Sequence, residues 1–591
     1  MRRMDARATR NAAYWIAPLA FCLALHWLSF RTWFRADDFA WLGLASHIHN
    51  WRDLAAALFT PMAQGTIRPW SERLFFIAGF DLFGLNALPY RIVIFATQFA
   101  DIVLMIAIAR RIAGSRAAGF LAAVLWMLNS AAVQPLDWAC AYNEVLCAFF
   151  LLAALYARMR QNDALEWLAF LLGFGALELN IVYPAIAAAY SLFVARKRWR
   201  TSLPMFGVSA AYWAVHAMAA PVPKAGPYAM HFDGSMFNTL LTYWTWTIGP
   251  VFNSVLPHIR RWMLWSALAA MSIALAWFAW RKLREGGSSA AFCFAWYVVT
   301  LAPLLPLRDH LTEYYPYIPE IGICWLAGWA LAETLERRDR WPRAAAAALV
   351  ALYCVLMIPQ LRALEKSGYT ASRGAEKLIA DIAEVHRAHP AQTILLAGMD
   401  GELFWAAMAS RGFEVAGIPD VYLAERSRDT SAQPGFWNSV EYFLPPENVA
   451  SAIVYDVRGR RLRESGLSRY VNPADAASAP LLGPEWYASE GDHRWMPKSA
   501  TLRIGAPPVS GQFLHLNATC PQAPVTLTVT VNGMPAGKAK IDRPDFSVSV
   551  PLPDAVVGLP EMRVQLEVDR TFRPPGERRD LGAVFGTLEV R

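Results

Sequence analysis

The chain has 591 residues, of which 56% are hydrophobic and only 17% charged, and its formal net charge is +8. Soluble globular domains carry roughly 25% charged residues, so this composition excludes a purely soluble protein. The seven cysteines have no CxxC or metal-like spacing, which predicts neither a disulfide framework nor a zinc site. The basic residues cluster at the ends of apolar runs, as membrane orientation requires, and we therefore predict no nucleic-acid partner.

Apolar segments in the first three-fifths of the chain predict about eleven membrane-spanning helices, at one span per ~20 residues. The first segment has no small-residue cleavage site after it and is predicted to be an anchor rather than a signal peptide. The predicted spans are approximately 14–33, 92–109, 117–133, 145–156, 167–176, 181–194, 203–220, 263–280, 290–307, 318–332 and 344–358.

The positions of arginine and lysine predict the orientation of these helices. Basic clusters fall on alternate loops, at 2–10, 110–116, 158–160, 195–200, 281–284 and 336–343, and are therefore expected in the cytoplasm. The odd helix count sends the chain after residue 358 to the opposite side, which is the periplasm in a bacterial inner membrane. The loops expected on that side contain Asp37 and Asp38, 61–73, Asp137, 221–261 and 308–316.

After residue 361 the composition becomes that of a soluble protein. A helical pattern, the apolar run TILLAG, a helix opened by Asp400 and the run SAIVYDV predict a small α/β domain over 362–499. The segment VTLTVTV, the pair Asn532-Gly533 and AGKAKI predict a hairpin, and three more alternating runs complete a β-sandwich over 500–591. The predicted fold is thus a polytopic α-helical membrane domain, 1–361, with a periplasmic extension of an α/β domain and a β-sandwich.

Asp37 and Asp38 come directly after the first predicted span, in FRADDFAWL. A carboxylate near hydrocarbon costs several kcal/mol unless it is paired, hydrated or used. Two adjacent carboxylates can bind a divalent cation or raise each other's pKa so that one acts as a base. The alternative is a hydrated helix end without a chemical role.

Four further phrases carry a resemblance: GTIRPWSERLFFIAGFDLFGLNALPYRIV, WACAYNEVLCAFFLLAALYARMR, LELNIVYPA and EYYPYIPEIG. Together with the acidic pair they resemble the GT-C superfamily of membrane glycosyltransferases, nearest to the aminoarabinose transferase and the protein O-mannosyltransferases. The resemblance covers about residues 14–358. It implies a GT-C helical domain and a donor sugar on a polyprenyl phosphate, which is transferred at the outer face to a glycan, lipid or protein acceptor.

The resemblance also implies the acidic residues of the site. Asp37 corresponds to the acid that acts as the base or orients a metal, and Asp38 is its neighbour. A second acid is expected at the start of the fourth helix, where Glu144 fits better than Asp137. Some relatives use a divalent cation such as Mg²⁺ or Mn²⁺ and others use none, so metal dependence stays open.

The leaving lipid phosphate is negatively charged, so cations are expected near it. The candidates on outward loops are Arg68, Arg308 and His310, and Glu178 and Glu313 occupy family positions, although Glu313 precedes Tyr where this group more often has Arg. Arg68 could instead hold a loop or meet lipid headgroups. A lone histidine is by default a structural partner, and this alternative applies to His310. His216 is expected by default to be buried and hydrogen-bonded.

The function predicted from the sequence is an inverting glycosyltransferase of envelope glycan synthesis, with membrane lipids and a polyprenyl-phosphate sugar as partners. Two alternatives remain. The first is a transporter or flippase of polyprenyl-linked sugars, which broken helix pairs at matching positions would support. The second is a non-catalytic scaffold that docks through the carbohydrate-binding-like sandwich, whose role as a glycan binder stays open.

Overall fold

The computed structural model describes residues 2–62, 65–196, 199–221, 225–251, 259–390, 392–424, 442, 452–463, 469–559 and 561–591. The chain divides into two compact units, Met1–Glu376 and Lys377–Arg591. The first unit is helical. The strands of the described chain all belong to the second.

The helices of the first unit follow one another with short connections. They are α1 (Arg2–Leu25), α2 (Trp27–Phe30), α3 (Asp38–Leu42), α4 (Trp51–Phe59), α5 (Phe75–Phe83), α6 (Ala87–Ala113), α7 (Arg116–Leu128), α8 (Val133–Asp137), α9 (Tyr142–Met159), α10 (Asp163–Gly173), α11 (Tyr183–Tyr190), α12 (Leu203–Ala219), α13 (Ser235–Ile248), α14 (Arg261–Arg284), α15 (Ser289–Leu301), α16 (Glu320–Glu336) and α17 (Arg340–Ala388), which continues into the second unit. A π-helical turn, Pro69–Leu74, precedes α5.

Each of the predicted spans is helical over most of its length, although 14–33 is divided between α1 and α2, because a continuous apolar run has no stable alternative to a helix in a bilayer. Among the described residues, five helices are long and apolar enough to cross a membrane, and α7 with the bent segment after it would make a sixth. The protein is a multi-pass membrane protein. The count of eleven crossings and their orientation stay predictions.

Helix α13 lies inside the segment that the sequence analysis treated as a long loop, 221–261. Its Tyr243 is fully buried and packs with Tyr297, Leu301 and Ile323 of α15 and α16. Threonine and asparagine interrupt its apolar residues in SMFNTLLTYWTWTI, so the segment lacks the continuous run that marks a span. The loop prediction is therefore corrected to a helix that packs against the bundle.

Close approach of helices rests on small residues. A Cβ atom at Gly328 of α16 would lie 2.5 Å from the carbonyl oxygen of Ala118 on α7, and one at Gly119 would lie 2.8 Å from that of Ile106 on α6. Glycine at these contacts lets backbones approach to distances at which van der Waals packing is strong. Helix α7 is thereby held tightly between α6 and α16.

The second unit begins with the end of α17 and a four-stranded sheet of order β2-β1-β3-β4. Its strands are β1 (Ile394–Ala397), β2 (Val421–Leu423), β3 (Ile453–Asp456) and β4 (Arg461–Arg463), and its short helices are α18 (Gly401–Ala407) and α19 (Gly412–Val415). Strand β1 is parallel to β2 and β3. The Asp400 carboxylate accepts the Leu403 N–H at 2.9 Å and caps α18, as the sequence predicts.

The rest of the second unit is a β-sandwich of two four-stranded sheets with orders β10-β7-β12-β5 and β6-β11-β8-β9. Its strands are β5 (Tyr470–Val471), β6 (Ser499–Ile504), β7 (Phe513–Thr519), β8 (Val525–Val531), β9 (Met534–Ile541), β10 (Asp545–Pro551), β11 (Met562–Val568) and β12 (Val584–Val590). Asn532 and Gly533 form the turn between β8 and β9 with φ of 48° and 78°, the left-handed pair of a two-residue hairpin.

The observed boundaries differ from the predicted ones at two places. One uninterrupted helix, α17, crosses residue 361, because its apolar first half and amphipathic second half share good helix formers. Strand β5 lies before residue 500 but pairs with β12, so the sandwich takes a strand from the segment assigned to the α/β domain.

Candidate active site

Arg68 lies between two carboxylates at the start of the π-helical turn. Its Nε donates to Glu178 Oε2 at 2.8 Å, and its Nη1 donates to Glu72 Oε1 at 2.5 Å. Burial opposes the charged guanidinium, but Glu178 and then Glu72 outweigh it, so the pKa of Arg68 is raised well above its usual range. Arg68 is therefore a permanent cation held in a fixed plane.

The π-helical turn fixes Arg68 against the segment that carries Glu178. The Trp70 N–H donates to the Gly175 carbonyl at 2.9 Å, and the Trp70 indole donates to the Leu172 carbonyl at 3.0 Å. The Ser71 hydroxyl donates to the Ala176 carbonyl at 2.6 Å. A Cβ atom at Gly175 would lie 2.0 Å from the indole nitrogen, so glycine is needed for this contact.

Glu72 is a site residue that the sequence analysis missed. Its carboxylate, 4% exposed, also accepts the Thr66 hydroxyl at 3.0 Å, the Arg73 guanidinium at 3.3 Å and the Asn143 amide at 3.4 Å. The signal that could have found it is the spacing of four residues from Arg68, which places the two side chains on one helical face.

Arg73 also belongs to this charged cluster, because it donates to Glu72. Its buried guanidinium lies 4.0 Å from the centre of the Trp41 ring, where the ring's negative face attracts a cation. Glu72 is thereby held between Arg68 and Arg73, and Arg73 connects the Trp41 ring of α3 to the π-helical turn.

Glu144, predicted as the second acid, is brought to the same place. It stands in the first turn of α9, next to Asn143, and is 5% exposed. The charges of Arg68 and Glu178 both act on its carboxyl group. Asp137 lies elsewhere, because its Oδ1 is paired with Arg35 at 2.9 Å.

The two adjacent aspartates have different surroundings. Asp38 is fully buried and accepts the backbone N–H groups of Arg35 at 3.0 Å and Cys140 at 2.8 Å. Burial raises the pKa of Asp38, with the opposing charge of Arg91 as the next contribution. Asp37 is exposed at the start of α3, and its charge acts on the Tyr228 phenol. Asp38 fastens the loop that presents Asp37.

The other predicted phosphate contacts lie on the loop after α15. Arg308 is paired with Asp233 at 2.9 Å and is 40% exposed. The His310 ring stacks on Tyr228 with centroids 4.2 Å apart, and burial lowers the pKa of His310. The charge of Glu313 acts on Tyr243 of α13. The structure thus brings Arg68, Glu178 and Glu144 together and engages Arg308 with a neighbouring loop.

His216 also lies at this site, although the sequence favours a buried, hydrogen-bonded histidine there. Its Nε2 is 3.9 Å from Glu178 Oε1, and its side chain is 24% exposed. His216 lies in the last turn of α12, and the segment that begins at Glu178 packs against this helix, so the two side chains meet.

Metal dependence of this site stays a prediction. Within the described ranges, no group of three or more histidine, cysteine, aspartate or glutamate side chains is placed to hold a metal ion. Both oxygens of Asp38 accept backbone N–H groups, and Glu72 and Glu178 are turned to Arg68.

An apolar groove of about 570 Å³ is lined by residues of the π-helical turn, α5, α6, α9 and α10. Two of these residues, Trp70 and Tyr142, lie close in the chain to Arg68 and Asn143 of the charged cluster. Its lining is almost entirely apolar and consists of Trp70, Leu74, Phe75, Ala78, Gly79, Leu82, Phe83, Pro89, Tyr90, Val93, Tyr142, Leu146, Phe150 and Leu172. A groove of this shape and polarity suits a hydrocarbon chain.

No family model and no curated protein sequence match the chain. Solved structures do resemble it. One is ArnT from Cupriavidus metallidurans bound to undecaprenyl phosphate, with 14% identity, a TM-score of 0.38 and coverage of 70% of this chain and 87% of that one. A second is the same protein in the apo state, with 14% identity, a TM-score of 0.40 and coverage of 76% of this chain and 93% of that one.

ArnT is an aminoarabinose transferase of the GT-C superfamily, the group that the sequence motifs resemble. The function proposed below rests on the side chains of the site and on the groove beside them.

Proposed function

We propose that the protein is an inverting, GT-C-type glycosyltransferase of the bacterial inner membrane. It transfers a sugar from a polyprenyl phosphate to a glycan, lipid or protein acceptor on the periplasmic side. The observation that carries the proposal is the apolar groove whose lining includes Trp70, two residues after Arg68, and Tyr142, next to Asn143, because Arg68 and Asn143 both contact Glu72 in the charged cluster. A polyprenyl-phosphate sugar has an apolar tail joined to a charged, hydroxyl-rich head. The groove suits the tail, and the charged cluster suits the head.

The head of the donor is assigned to the charged cluster. In the described part of the chain, Glu178 and Glu72 use Nε and Nη1 of Arg68, which leaves Nη2 for a phosphate oxygen. A guanidinium held in place before the reaction stabilises charge that grows on the leaving phosphate without reorganisation. Glu144 and Glu178 accept hydrogen bonds from sugar hydroxyls.

The base is assigned to Asp37. The acceptor hydroxyl attacks the anomeric carbon from the face opposite the phosphate while Asp37 takes its proton. One bond forms between the acceptor oxygen and the anomeric carbon. The bond from that carbon to the phosphate oxygen breaks, and its electron pair leaves with the polyprenyl phosphate. Asp38 keeps the loop of Asp37 in position through two backbone hydrogen bonds.

The test is transfer of radiolabelled sugar from a membrane pool of polyprenyl-phosphate sugars by the full-length protein in lipid nanodiscs. Wild type is expected to transfer label, and Asp37→Asn is expected to lose transfer while keeping its expression level and melting temperature. Asp81→Asn, an exposed aspartate on α5 outside the cluster, is the matched control and should transfer normally. Wild type that binds the donor but never transfers label would overturn the proposal in favour of transport or scaffolding.

A further inference from the structure

Two loops beside the candidate active site are joined to each other by several polar contacts. The His231 N–H donates to the Pro306 carbonyl at 2.9 Å. Arg308 and Asp233 form an ion pair at 2.9 Å, and His231 Nε2 lies 2.9 Å from Asp309 Oδ2. These contacts hold the segment 225–234 against the segment 306–315, so an aromatic side chain on either segment has a fixed place.

Tyr228 is such a side chain. Its ring stacks on His310, with centroids 4.2 Å apart and an angle of 39° between the planes. His310 meets Tyr315 at 5.9 Å, and Tyr315 meets Tyr314 edge to face at 5.2 Å. The Tyr228 ring is therefore supported from behind by a row of aromatic groups, as an aromatic surface for ligand contact must be.

The segment that carries Tyr228 follows the end of α12, which contacts the charged cluster: His216 Nε2 lies 3.9 Å from Glu178 Oε1, and a Cβ atom at Gly65 would lie 2.7 Å from Ala220 Cβ. Burial raises the pKa of its phenol, and the charges that then act on it are those of Arg68, Asp37 and Glu72, in that order. Tyr314, behind it in the aromatic row, is acted on by Glu144 and Arg68. Tyr228 is only partly buried, so part of its surface is open beside the carboxylates.

We propose that Tyr228, supported by His310, is the aromatic platform that contacts the ring of the donor sugar and helps to select it. The inference rests on the proposed glycosyl transfer. A sugar ring has C–H groups that pack on an aromatic face and hydroxyl groups at its edge. At this site the tyrosine receives the C–H face, and the neighbouring carboxylates accept the hydroxyl groups. Arg308 and Asp233 act on the reaction through the loop that carries this platform.

The experiment compares binding of two probes to the full-length protein in nanodiscs. One probe is the polyprenyl-phosphate-sugar fraction extracted from the source membranes, and the other is synthetic polyprenyl phosphate without sugar. Tyr228→Leu keeps an apolar side chain but removes the ring, and Tyr228→Phe keeps the ring. Trp51→Leu, which removes a 73% exposed aromatic ring on α4, is the matched control.

Tyr228→Leu is expected to bind the sugar-bearing lipid about three- to tenfold more weakly, the range of an aromatic contact, and the sugar-free lipid as wild type does. Tyr228→Phe and Trp51→Leu should bind both probes normally. The platform would be overturned if Tyr228→Leu bound each of the two probes as tightly as wild type does. Equal weakening of both probes, or loss in Tyr228→Phe as well, would overturn it too, because the tyrosine would then serve the loop or the phosphate.

The two proposals fail in different ways. Wild type that prefers the sugar-bearing lipid but transfers no label removes the glycosyltransferase and leaves the platform supported. Normal transfer, together with unchanged probe preference in Tyr228→Leu, removes the platform and leaves the glycosyltransferase.

Discussion

Arg68 and Glu178 form an ion pair at 2.8 Å although 110 residues separate them in the sequence. The pair joins the loop before the π-helical turn to the segment that begins after α10. Trp70 and Ser71 add one hydrogen bond to the last turn of α10 and two to the segment after it, so these contacts to backbone carbonyls help to position the pair. The charged half of the site therefore depends on how well these two segments fit.

That fit can be tested at Gly175. Gly175→Ala forces the Trp70 indole to move, because a Cβ atom would lie 2.0 Å from its nitrogen. Crowding of this kind costs about 1–3 kcal/mol, and we expect a lower melting temperature and weaker donor binding. Gly207→Ala, where nothing lies within 4 Å of the added carbon, should match wild type. Partial recovery in Gly175→Ala with Trp70→Leu would confirm the clash as the cause, and no recovery would contradict it.

Glu72→Gln tests the residue that links the two arginines. The amide keeps the shape of the carboxylate but loses the charge that Arg68 and Arg73 both face. Removing the charged partner of a buried group lowers the free energy of unfolding by about 1–3 kcal/mol. Thermal unfolding should therefore occur at a lower temperature, and transfer should fall. Glu384→Gln, an exposed glutamate on α17, serves as the control. Unchanged melting and transfer in Glu72→Gln would show that the cluster does not depend on this charge.

The two aspartates should respond differently to the same substitution. Asp37→Asn is expected to lower kcat by about 10²- to 10⁴-fold with little change in melting temperature, as loss of a general base does. In Asp38→Asn an NH₂ group replaces one carboxylate oxygen and cannot accept one of the N–H groups that Asp38 accepts from Arg35 and Cys140. The main expected effect is therefore a lower melting temperature. Thermal unfolding and single-turnover kinetics measured together separate these outcomes. A normal melting temperature in Asp38→Asn would refute its anchoring role.

Leu146→Trp tests whether the groove holds the donor tail. The larger side chain takes up groove volume, and displacing about 60 Å² of lipid surface costs about 1.5 kcal/mol, or roughly tenfold in affinity. Binding of synthetic polyprenyl phosphate in nanodiscs measures the effect. Leu165→Trp, at a 46% exposed position on α10 outside the groove, should bind normally. Equal binding by the two variants would place the tail elsewhere.

A pH-dependent contribution is expected from Glu577 in the loop before β12. Hydrogen bonds from the Arg579 side chain, and then from the Arg579 and Arg578 backbone N–H groups, lower the pKa of Glu577 from 4.5 to about 2. A lowered pKa in the folded state gives stability that is complete above pH 4.5 and is lost as the pH falls toward 2. The melting temperature of wild type should therefore exceed that of Glu577→Gln at pH 6, and the difference should shrink in acid. A difference that does not change with pH would contradict this.

Features that depend on local sequence were predictable. Continuous apolar runs marked the predicted spans, which are helical, and Asn532-Gly533 marked a turn because both residues tolerate positive φ. Arg68, Glu144 and Glu178 were reached through short motifs that resemble a family, and the structure brings them to one place.

Features that depend on tertiary contacts were not predictable. The importance of Glu72 comes from Thr66, Arg73 and Asn143, which meet only in the folded chain. The amphipathic helix α13 was missed because burial of Tyr243 between helices, rather than a long apolar run, stabilises it. The different surroundings of Asp37 and Asp38 follow from the backbone N–H of Cys140, 102 residues away, which no local pattern shows.

The groove beside the charged cluster is bordered by apolar side chains that are exposed at the surface of the first unit, among them Leu82 at 72%, Phe83 at 47% and Val93 at 44%. In a bilayer such a border faces acyl chains, so the donor lipid of the proposed reaction would reach the site by lateral diffusion without leaving the membrane. We therefore expect the rate of transfer to follow the mole fraction of donor in the bilayer. Added carrier phospholipid would slow the reaction by surface dilution, even when the total amounts of enzyme and donor in the suspension are unchanged.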